Sequence, residues 1–537
     1  MPRLAGSFRL ALAACAAACS SGSPAPPRQP PPDASSASPI APLSPDWGSS
    51  MSAPIAPHDF GHNAVWSRGG LGLWDEGAGA PQPEVRALVA ALRPGVLRFP
   101  GGTRAMRYKF EQAIGPLAQR QPQCDTFTGA TDATSYGLDE FLGLAAGLGS
   151  QVTLVASWVD GSPQRTAAMV AYVNGDPAST VALGVDGDGM DWGVAGDWAR
   201  KRAAWGHPSP WGVAMLEVGN EPYLDLATGP PVSCGRPGQF KQDERWVAGK
   251  AIPTTAKDYA AQLVATAALV RAIDPSLRIG ACAYSSYDGV SNAAMEAGDV
   301  DRASGGDAWD ARLLSDAPSA FDVFVLHPYD LTFGASRVGL AGRLGKTIAD
   351  LSALAPSKPV AVTEFGTFAG GGSLLNVVLS ADVVRVGILA NAAMVLRHIL
   401  IEDDPGEPFA NSAAILGAAH AKEPGYAVMQ LLATTLSGRA VPTPEVLPDL
   451  EAMAAWTSGA GVAVLLLDRR AAASGPTDID VALPAGSFRG ALHVLSAASL
   501  ASTAVTRVDT IVTASGKIRV TLPANGVAVV TLATGGP

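Results

Sequence analysis

Eight short runs of β-branched and apolar residues, separated by longer Ala- and Leu-rich segments, repeat along the chain between about Ile55 and Gly438. This alternation is typical of repeated βα units, and eight parallel strands are the number that closes a barrel. We therefore predict an α/β fold, a (β/α)8 TIM barrel. The predicted strands are Asp59–Trp66, Val96–Pro100, Gln151–Trp158, Ala214–Gly219, Arg278–Ala283, Phe321–His327, Pro359–Thr363 and Arg397–Ile401. The predicted covering helices are Pro83–Ala91, Gly137–Leu148, Ala256–Ile273, Arg343–Leu354 and Leu379–Val395.

After Gly438 the pattern changes to alternating strands with Gly, Pro and Ser turns, as in GVAVLLLD, ALHVLS and GVAVVTLA. This pattern is typical of an all-β sandwich. The expected domains are an export signal at residues 1–18, a Pro- and Ser-rich disordered tether at 19–54, the barrel at 55–438 and a C-terminal β-sandwich at 439–537.

The first residues resemble an export signal, because Arg3 and Arg9 precede the short apolar stretch Leu10–Ala18. Such a stretch is too short to span a bilayer but long enough for a signal core. Cys19 then opens a flexible segment, which resembles the lipidated cysteine and tether of a bacterial lipoprotein. Cys15 is an alternative lipidation site with a shorter apolar core, and cleavage without lipidation is a third possibility.

The formal net charge is −10 and no run of Lys or Arg occurs, which argues against nucleic acid or an anionic membrane surface as the main partner. A neutral polymer such as a polysaccharide fits better. The mature part holds only Cys124, Cys234 and Cys282, too few for a disulfide-built scaffold. Cys124 and Cys234 lie in loop-like surroundings where an oxidising envelope would let them pair.

No metal or cofactor is predicted, because none of the seven His residues is spaced as a ligand cluster. The acidic segment GVDGDGMD, residues 184–191, superficially suggests calcium. It lacks the full twelve-residue loop with its closing glutamate, so we interpret it as a turn-rich loop.

Two glutamates end apolar strands, Glu221 after MLEVGN and Glu364 after PVAVT. In a TIM barrel the active site lies at the C-terminal ends of the strands, so both side chains are expected at one mouth. Retaining glycoside hydrolysis requires two such carboxyl groups, one protonated to donate to the leaving oxygen and one ionised to attack the anomeric carbon. Arg98, near the end of the second strand, is the candidate cation that keeps Glu364 charged.

Three further side chains lie at predicted strand ends. Trp66 and Trp158 each offer an apolar face for a sugar ring to stack against, although packing in the core explains them equally well. His327 suits a hydrogen bond to the catalytic carboxylates, and a structural histidine is an equally good interpretation.

These residues resemble clan A glycoside hydrolases, in which the acid/base glutamate follows an Asn at the end of strand four and the nucleophile ends strand seven. Within that clan the chain is most similar to family 51, the α-L-arabinofuranosidases, through LRFPGG, IGP, MVAYVNG, the segment from Arg202 to Pro222, VLHPY and GYAVMQLLATTLSG. The resemblance implies that Asn220 binds the sugar 2-hydroxyl, that Arg98 orients Glu364 and that Tyr329 hydrogen-bonds this nucleophile.

Two positions depart from the family at sugar-binding sites. Thr103 stands where the family usually has Asn, and Val65 stands where it has a glutamate near the end of strand one. We expect an exported retaining glycosidase, exo-acting and arabinofuranosidase-like, with carbohydrate as its partner. The alternatives are an endo-acting β-glycanase and a carbohydrate-binding lipoprotein that has lost catalysis.

Overall fold

The structure, a computed structural model, describes residues 40–51, 54–126, 128–224, 227–228, 232–233, 236–237, 240–284, 309–330, 339–367, 372–402, 414–470 and 475–534. The candidate lipidation residues Cys19 and Cys15 lie outside the described residues, as do the predicted export signal and Cys234.

The predicted (β/α)8 barrel is confirmed. Eight parallel strands pair in chain order, and the eighth closes on the first through Leu396 opposite Gly61. Barrel strands 1 to 8 are Gly61–Asn63, Val96–Phe99, Gln151–Ala156, Met215–Val218, Arg278–Cys282, Val323–Leu326, Val360–Thr367 and Val395–Arg397.

Barrel strand 8 ends at Arg397, where the predicted strand begins. Apolar residues continue on both sides of this arginine, so the apolar pattern alone could not place the start of the strand. The segment up to Ile401 instead runs past the end of the barrel strand and forms a single bridge with Leu416.

Helices cover the outside of the barrel and bury their apolar faces against it. Ser162 caps one of them by accepting a hydrogen bond from the Arg165 N–H at 3.0 Å. None of the described helices is both long and apolar enough to cross a bilayer. The α-helices are Pro83–Ala91, Leu138–Leu148, Pro163–Asn174, Ala195–Ala204, Ala256–Ile273, Trp309–Asp316, Gly339–Leu354, Leu374–Leu389 and Pro424–Thr435, and the 3-10 helices are Pro57–Asp59, Thr103–Arg107, Phe110–Gln112, Leu117–Gln119 and Ala418–His420. Ser67–Gly72 is a left-handed helical turn, with φ between 51° and 66° from Arg68 to Leu71.

Short two-stranded ladders decorate the loops that leave barrel strands 1, 2 and 4 at their C-terminal ends. Glu221 follows barrel strand 4 and Glu364 lies near the end of barrel strand 7, at this same end of the barrel, the barrel mouth. The pairs are Trp74–Asp75 with Ala80–Pro81, Gln123–Cys124 with Thr131–Asp132, Ala227–Thr228 with Phe240–Lys241, Val232–Ser233 with Arg236–Pro237, and Glu244–Val247 with Lys250–Pro253; Tyr329–Asp330 adds a strand beside barrel strand 7.

The C-terminal all-β domain is one continuous sheet of eight strands that folds over itself around its own apolar core. Its longest strand, Thr477–Ser496, breaks register between Ala482 and Ser487. On one edge, the part before the break pairs with Ala41–Leu43 and the part after it pairs with Val527–Thr534. The strands are Ala41–Leu43, Pro54–Ile55, Gly438–Val441, Leu450–Trp456, Val462–Asp468, Thr477–Ser496, Thr506–Leu522 and Val527–Thr534.

The N-terminal boundary of the folded part needs a correction, because the predicted tether extended to Pro54. Ala41–Leu43 pairs in parallel with Ile479–Val481, and the Trp47 indole N–H donates to the Ala482 carbonyl at 2.9 Å. Residues 40–51 are therefore part of the C-terminal sheet. A three-residue strand is too short to show a period of two, so the sequence carried no signal for it.

A buried ion network joins the barrel to this sheet. Asp382, on the barrel helix Leu374–Leu389, accepts from Arg385 at 2.8 Å and from Arg469 at 2.8 Å. Glu451 of the sheet contacts the same two arginines. Because Asp382 is buried, its loss would leave two largely buried arginines with Glu451 and, 3.9 Å from Arg469, the partly exposed Asp449.

We expect Asp382→Ala to destabilise the protein by about 3 kcal/mol, the cost typical of breaking a buried ion pair. The matched control is Asp480→Ala, since Asp480 also contacts two cations, Arg519 and Lys517, but at the exposed surface. Urea unfolding of both variants would measure the difference. Equal midpoints for the two variants would contradict the prediction.

Candidate active site

Arg98, on barrel strand 2, is fully buried and organises the polar residues at the barrel mouth. Its Nε and Nη2 donate to the Glu217 carboxylate at 3.0 and 2.7 Å, which neutralises the guanidinium on one edge. Nη2 also donates to Asn220 Oδ1 at 3.0 Å, and Nη1 donates to Asn63 Oδ1 at 2.8 Å and to Glu364 Oε1. One side chain thus connects barrel strands 1, 2, 4 and 7.

Glu364 is buried and lies among hydrogen-bond donors. Its Oε1 accepts from Arg98 and from the Gly102 N–H at 2.9 Å, and its Oε2 accepts from the Tyr329 hydroxyl at 2.8 Å. Burial acts to raise the pKa of Glu364, but the positive potential of His398, His327 and Arg98 and the Tyr329 hydrogen bond outweigh it. The pKa of this carboxyl is therefore held well below its usual range, and Glu364 is ionised at neutral pH.

Gly102 can donate to Glu364 only because it lacks a side chain. Its φ of 68° lies in the left-handed region that favours glycine, and a Cβ here would meet His398 Cε1 at 2.9 Å. The second glycine of the LRFPGG motif thus serves a close backbone approach to the Glu364 carboxylate, whereas a Cβ at the first, Gly101, would meet Asn63 Oδ1 at 2.8 Å.

Glu221 follows barrel strand 4 and has a φ of 50°, which is uncommon for a residue with a side chain. The buried Gln242 amide holds this turn, because its Nε2 lies 2.9 Å from the Asn220 carbonyl and 3.1 Å from the Glu221 carbonyl. Strained backbone of this kind persists where surrounding contacts fix it, and it clusters at functional sites.

His327 lies between the two glutamates. Its Nδ1 is 3.2 Å from Glu221 Oε1 and 4.0 Å from Glu364 Oε2, while its Nε2 is 3.0 Å from the Thr363 hydroxyl. These two carboxylate oxygens are therefore separated by no more than about 7.2 Å. Burial acts to lower the pKa of His327, but the Glu364 and Glu221 carboxylates outweigh it and raise the pKa above its ordinary value.

The two carboxyl groups have different surroundings at one barrel mouth. Glu364 is surrounded by donors that favour its charged form, whereas Glu221 faces an imidazole and an amide and has no arginine or lysine ion pair within the described part of the chain. Such a pair can divide the roles of nucleophile and general acid. The upper bound on this oxygen pair is compatible with the roughly 5–5.5 Å separation of the carboxyl groups in retaining glycosidases.

The structure places Trp158 and Trp66 in the core, so the sugar-stacking interpretation of these rings is not supported. Trp158 is 3% exposed and its indole donates to the Thr254 hydroxyl at 2.8 Å. Trp66 is fully buried and donates to the Arg104 carbonyl at 3.0 Å. Both rings have satisfied their N–H groups within the protein.

Four residues of the site were missed by the sequence analysis: Asn63, Glu217, Gln242 and His398. A signal existed for Glu217, because a carboxylate in the middle of an apolar strand must find a cationic partner. Gln242 and His398 have no comparable local pattern, since they reach the site from a loop and from beyond barrel strand 8.

Val65, where the family has a glutamate, is buried in an apolar cluster with Leu71, Ile399 and Ala414. This part of the mouth therefore offers hydrocarbon where the resemblance leads one to expect a carboxylate. Thr103, the second departure, begins the 3-10 helix Thr103–Arg107 directly after Gly102.

The carboxylates of the 184–191 loop accept hydrogen bonds from protein groups, and Asp188 accepts the N–H of Ala248 in the Glu244–Val247 hairpin turn at 2.6 Å. Asp186 Oδ1 accepts from the N–H groups of Asp188 and Met190, both at 3.0 Å, and its Oδ2 accepts from Trp192 Nε1 at 2.8 Å. Within the described ranges no three His, Cys, Asp or Glu side chains converge as metal ligands would.

Comparison with known proteins confirms the resemblance to clan A glycoside hydrolases, and within them to family 51. Residues 88–242 match the family model of the Alpha-L-arabinofuranosidase 1 domain, a segment that includes Arg98 and Glu221 but ends before Glu364. Over 246 residues the chain is 24% identical to an intracellular exo-α-(1→5)-L-arabinofuranosidase 1 of Bacillus subtilis. The aligned segment covers 46% of this chain and 38% of the length of that protein.

Solved structures show the same fold over nearly the whole chain. A family 51 α-L-arabinofuranosidase from Bifidobacterium longum superposes with a TM-score of 0.71 at 17% identity, covering 92% of this chain and 100% of that one. The arabinose complex of an α-L-arabinofuranosidase from Thermotoga maritima superposes with a TM-score of 0.69 at 15% identity and the same coverage.

We expect Glu364→Gln to lower the pKa of His327, because the substitution removes a nearby negative charge that raises it. NMR titration of the imidazole would measure the shift. Glu84→Gln, at an exposed helix start, is the matched control and should leave the His327 titration unchanged. An unchanged His327 pKa in Glu364→Gln would show that the two side chains are not coupled.

Proposed function

We propose that this protein is a retaining glycoside hydrolase of the arabinofuranosidase type, which releases sugar units from the ends or branches of a polysaccharide. The observation that carries the proposal is the pair of carboxylates that approach the same nitrogen of His327, one held ionised and the other without an arginine or lysine partner among the described residues. In this proposal Glu364 is the nucleophile and Glu221 is the general acid and base.

The reaction proceeds in two displacements. Glu221 gives its proton to the leaving oxygen while Glu364 attacks the anomeric carbon, so the glycosidic bond breaks as an ester bond to Glu364 forms. Glu221 then takes a proton from water, whose oxygen attacks the same carbon and releases both the sugar and the Glu364 carboxylate. Oε2 is the attacking oxygen, because Oε1 already accepts two hydrogen bonds and Oε2 faces His327 and Glu221.

Asn220 supplies a donor for the substrate. Its Oδ1 is held by Arg98 at 3.0 Å, whereas its Nδ2 is buried and has no acceptor among the described residues. A buried unpaired donor is costly unless a ligand satisfies it. This supports the expectation, carried by the family resemblance, that Asn220 binds a sugar hydroxyl.

An endo-acting β-glycanase is the second candidate, and the apolar surroundings of Val65 favour it. The glutamate that the family uses to bind arabinofuranose is replaced by Val65 there. This replacement argues against arabinofuranose as the substrate sugar more than it argues against a glycosidase reaction. A carbohydrate-binding protein without catalysis is disfavoured, since Glu221, Glu364, Asn220 and Arg98 are all present and in contact with one another or with His327.

Hydrolysis of a panel of 4-nitrophenyl glycosides, α-L-arabinofuranoside included, tests the proposal. We expect the wild type to cleave the arabinofuranoside and Glu364→Ala to lower kcat by roughly 10⁴-fold or more, because the covalent nucleophile is removed. Glu84→Ala, an exposed glutamate, is the control and should retain full activity. Thermal unfolding should show that Glu364→Ala is folded, since Arg98 keeps its pairing with Glu217.

A fully active Glu364→Ala variant would contradict the assignment of the nucleophile. If no aryl glycoside is cleaved, polysaccharides replace the panel and product length decides between the candidates. Monosaccharide from the first time point supports exo action, whereas a ladder of oligosaccharides supports the endo-glycanase.

We further propose that the protein is exported and lipidated at Cys19. Cys124 is disulfide-bonded, which supports an oxidising compartment. The Bacillus subtilis relative is named as intracellular, and that name concerns that protein alone.

Expression of the full chain in a bacterial host with labelled palmitate tests this proposal. We expect the wild type and Cys15→Ser to carry label in the membrane fraction and Cys19→Ser to carry none, because only the cysteine at the cleavage site is acylated. Unlabelled wild-type protein in the cytosol would contradict both export and lipidation.

A further inference from the structure

A cavity of about 360 Å³ lies at the C-terminal end of the barrel. Its walls come from the segments that follow barrel strands 2 and 3, and they include Arg107, Lys109, Gln112, Thr131 and Asp160. Its volume falls within the roughly 300–1,000 Å³ range of ligand sites. The proposed reaction assigns no role to any of these side chains.

Met106 connects this cavity to the acid/base side of the site. Its sulfur accepts the backbone N–H of Asn220 at 3.1 Å, directly before Glu221. Its carbonyl accepts the N–H of Val159 at 2.9 Å, one residue before Asp160, while Arg107 follows Met106 in the chain. Met106 therefore lies between the cavity wall and the turn that carries Glu221. In the proposed reaction Glu221 protonates the leaving group, so the cavity is on the leaving-group side of the site.

Among the described residues that line the cavity, two side chains are cationic and one is anionic. Arg107 Nε is 3.2 Å and Lys109 Nζ is 3.8 Å from the same oxygen of Asp160, so two cations share one carboxylate. The chain as a whole has a net charge of −10, which makes a cationic cavity at its mouth a local feature.

The cationic side chains are held in place. Gln123 accepts from the Lys109 N–H at 2.8 Å and donates to the Lys109 carbonyl at 2.9 Å, which fixes the backbone of this residue. Asp160 is buried at 6% exposure and orients the Arg107 guanidinium, whereas the Lys109 side chain is 29% exposed. A fixed guanidinium beside an accessible ammonium suits a planar carboxylate as ligand.

We propose that this cavity is a subsite for a uronate, which is a sugar unit bearing a carboxylate. The uronate would belong to the leaving group, the part of the polysaccharide that Glu221 protonates. The inference deepens the proposed function and rests on it for the identity of the polymer. Lys109 contacts the carboxylate as a point charge, the outer nitrogens of Arg107 donate to it, and Gln112 and Thr131 contact the hydroxyl groups of the ring. The substrate class is therefore an acidic, uronate-bearing polysaccharide.

Calorimetric binding to wild type tests the subsite with two probes, trigalacturonate and an aldotetraouronic acid from glucuronoxylan, each compared with its methyl ester. Each ester keeps the sugar rings and linkages of its acid but replaces every carboxylate, three in trigalacturonate and one in the aldotetraouronic acid, by an uncharged methyl ester. We expect each acid to bind roughly tenfold more tightly than its ester, the effect of about one charge-assisted hydrogen bond, and the difference to shrink at high salt.

Three variants separate the subsite from general electrostatics. Lys109→Gln should lose the preference for the acid, Lys109→Arg should retain it, and Lys346→Gln, at an exposed helix position away from the cavity, should leave it unchanged. Equal binding of acid and ester to wild type would overturn the proposal for both probes. A preference that survives in Lys109→Gln would overturn it as well.

Aryl arabinofuranoside hydrolysis by wild type, measured alongside, keeps the two proposals distinguishable. A Lys109-dependent preference for the acid, with no hydrolysis of either the aryl glycosides or the polysaccharides, would support the subsite and overturn the reaction. Activity on the neutral aryl substrate without any acid preference would support the reaction and overturn the subsite.

Discussion

The buried guanidinium of Arg98 is the interaction on which the barrel mouth depends. A cation without water must be fully paired, and Arg98 meets this requirement with Glu217 on one edge and Glu364 on the other. Glu217 lies inside a strand and cannot reach substrate, so it acts as a fixed counter-charge. Glu364 remains ionised at the mouth, because Arg98, which stabilises its charge, is itself held in place by Glu217.

Two residues at the barrel mouth, Gly102 and Glu221, have a positive φ, and a neighbouring side chain packs against or holds each of them. Gly102 takes a left-handed φ to bring its N–H to Glu364, and His398 fills the space that a side chain would have occupied. Glu221 takes a left-handed φ with a full side chain, and the Gln242 amide holds the turn through two carbonyl groups. Preorganisation of this kind means that little reorganisation remains when charge develops during a reaction.

The C-terminal sheet contributes to the barrel through packing and charge, at a distance from the mouth. The helix Leu374–Leu389 is covered on one side by the sheet and carries Asp382, which two arginines contact. That helix directly follows barrel strand 7, the strand that carries Glu364. Residues 40–51 belong to the same sheet, so this domain is built from segments that lie before and after the barrel in the sequence.

Local pattern alone determined the barrel, the C-terminal β domain and the two strand-end glutamates, because periodicity and strand ends are written in neighbouring residues. Helix bounds such as Pro83–Ala91 and Ala256–Ile273 coincide with the predicted ones for the same reason. Tertiary structure decided what depends on distant residues meeting. It placed Glu217 against Arg98, brought Gln242 and His398 to the site, and buried Trp66 and Trp158. A contact between residues a hundred positions apart is set by how the barrel closes, and no local spacing encodes it.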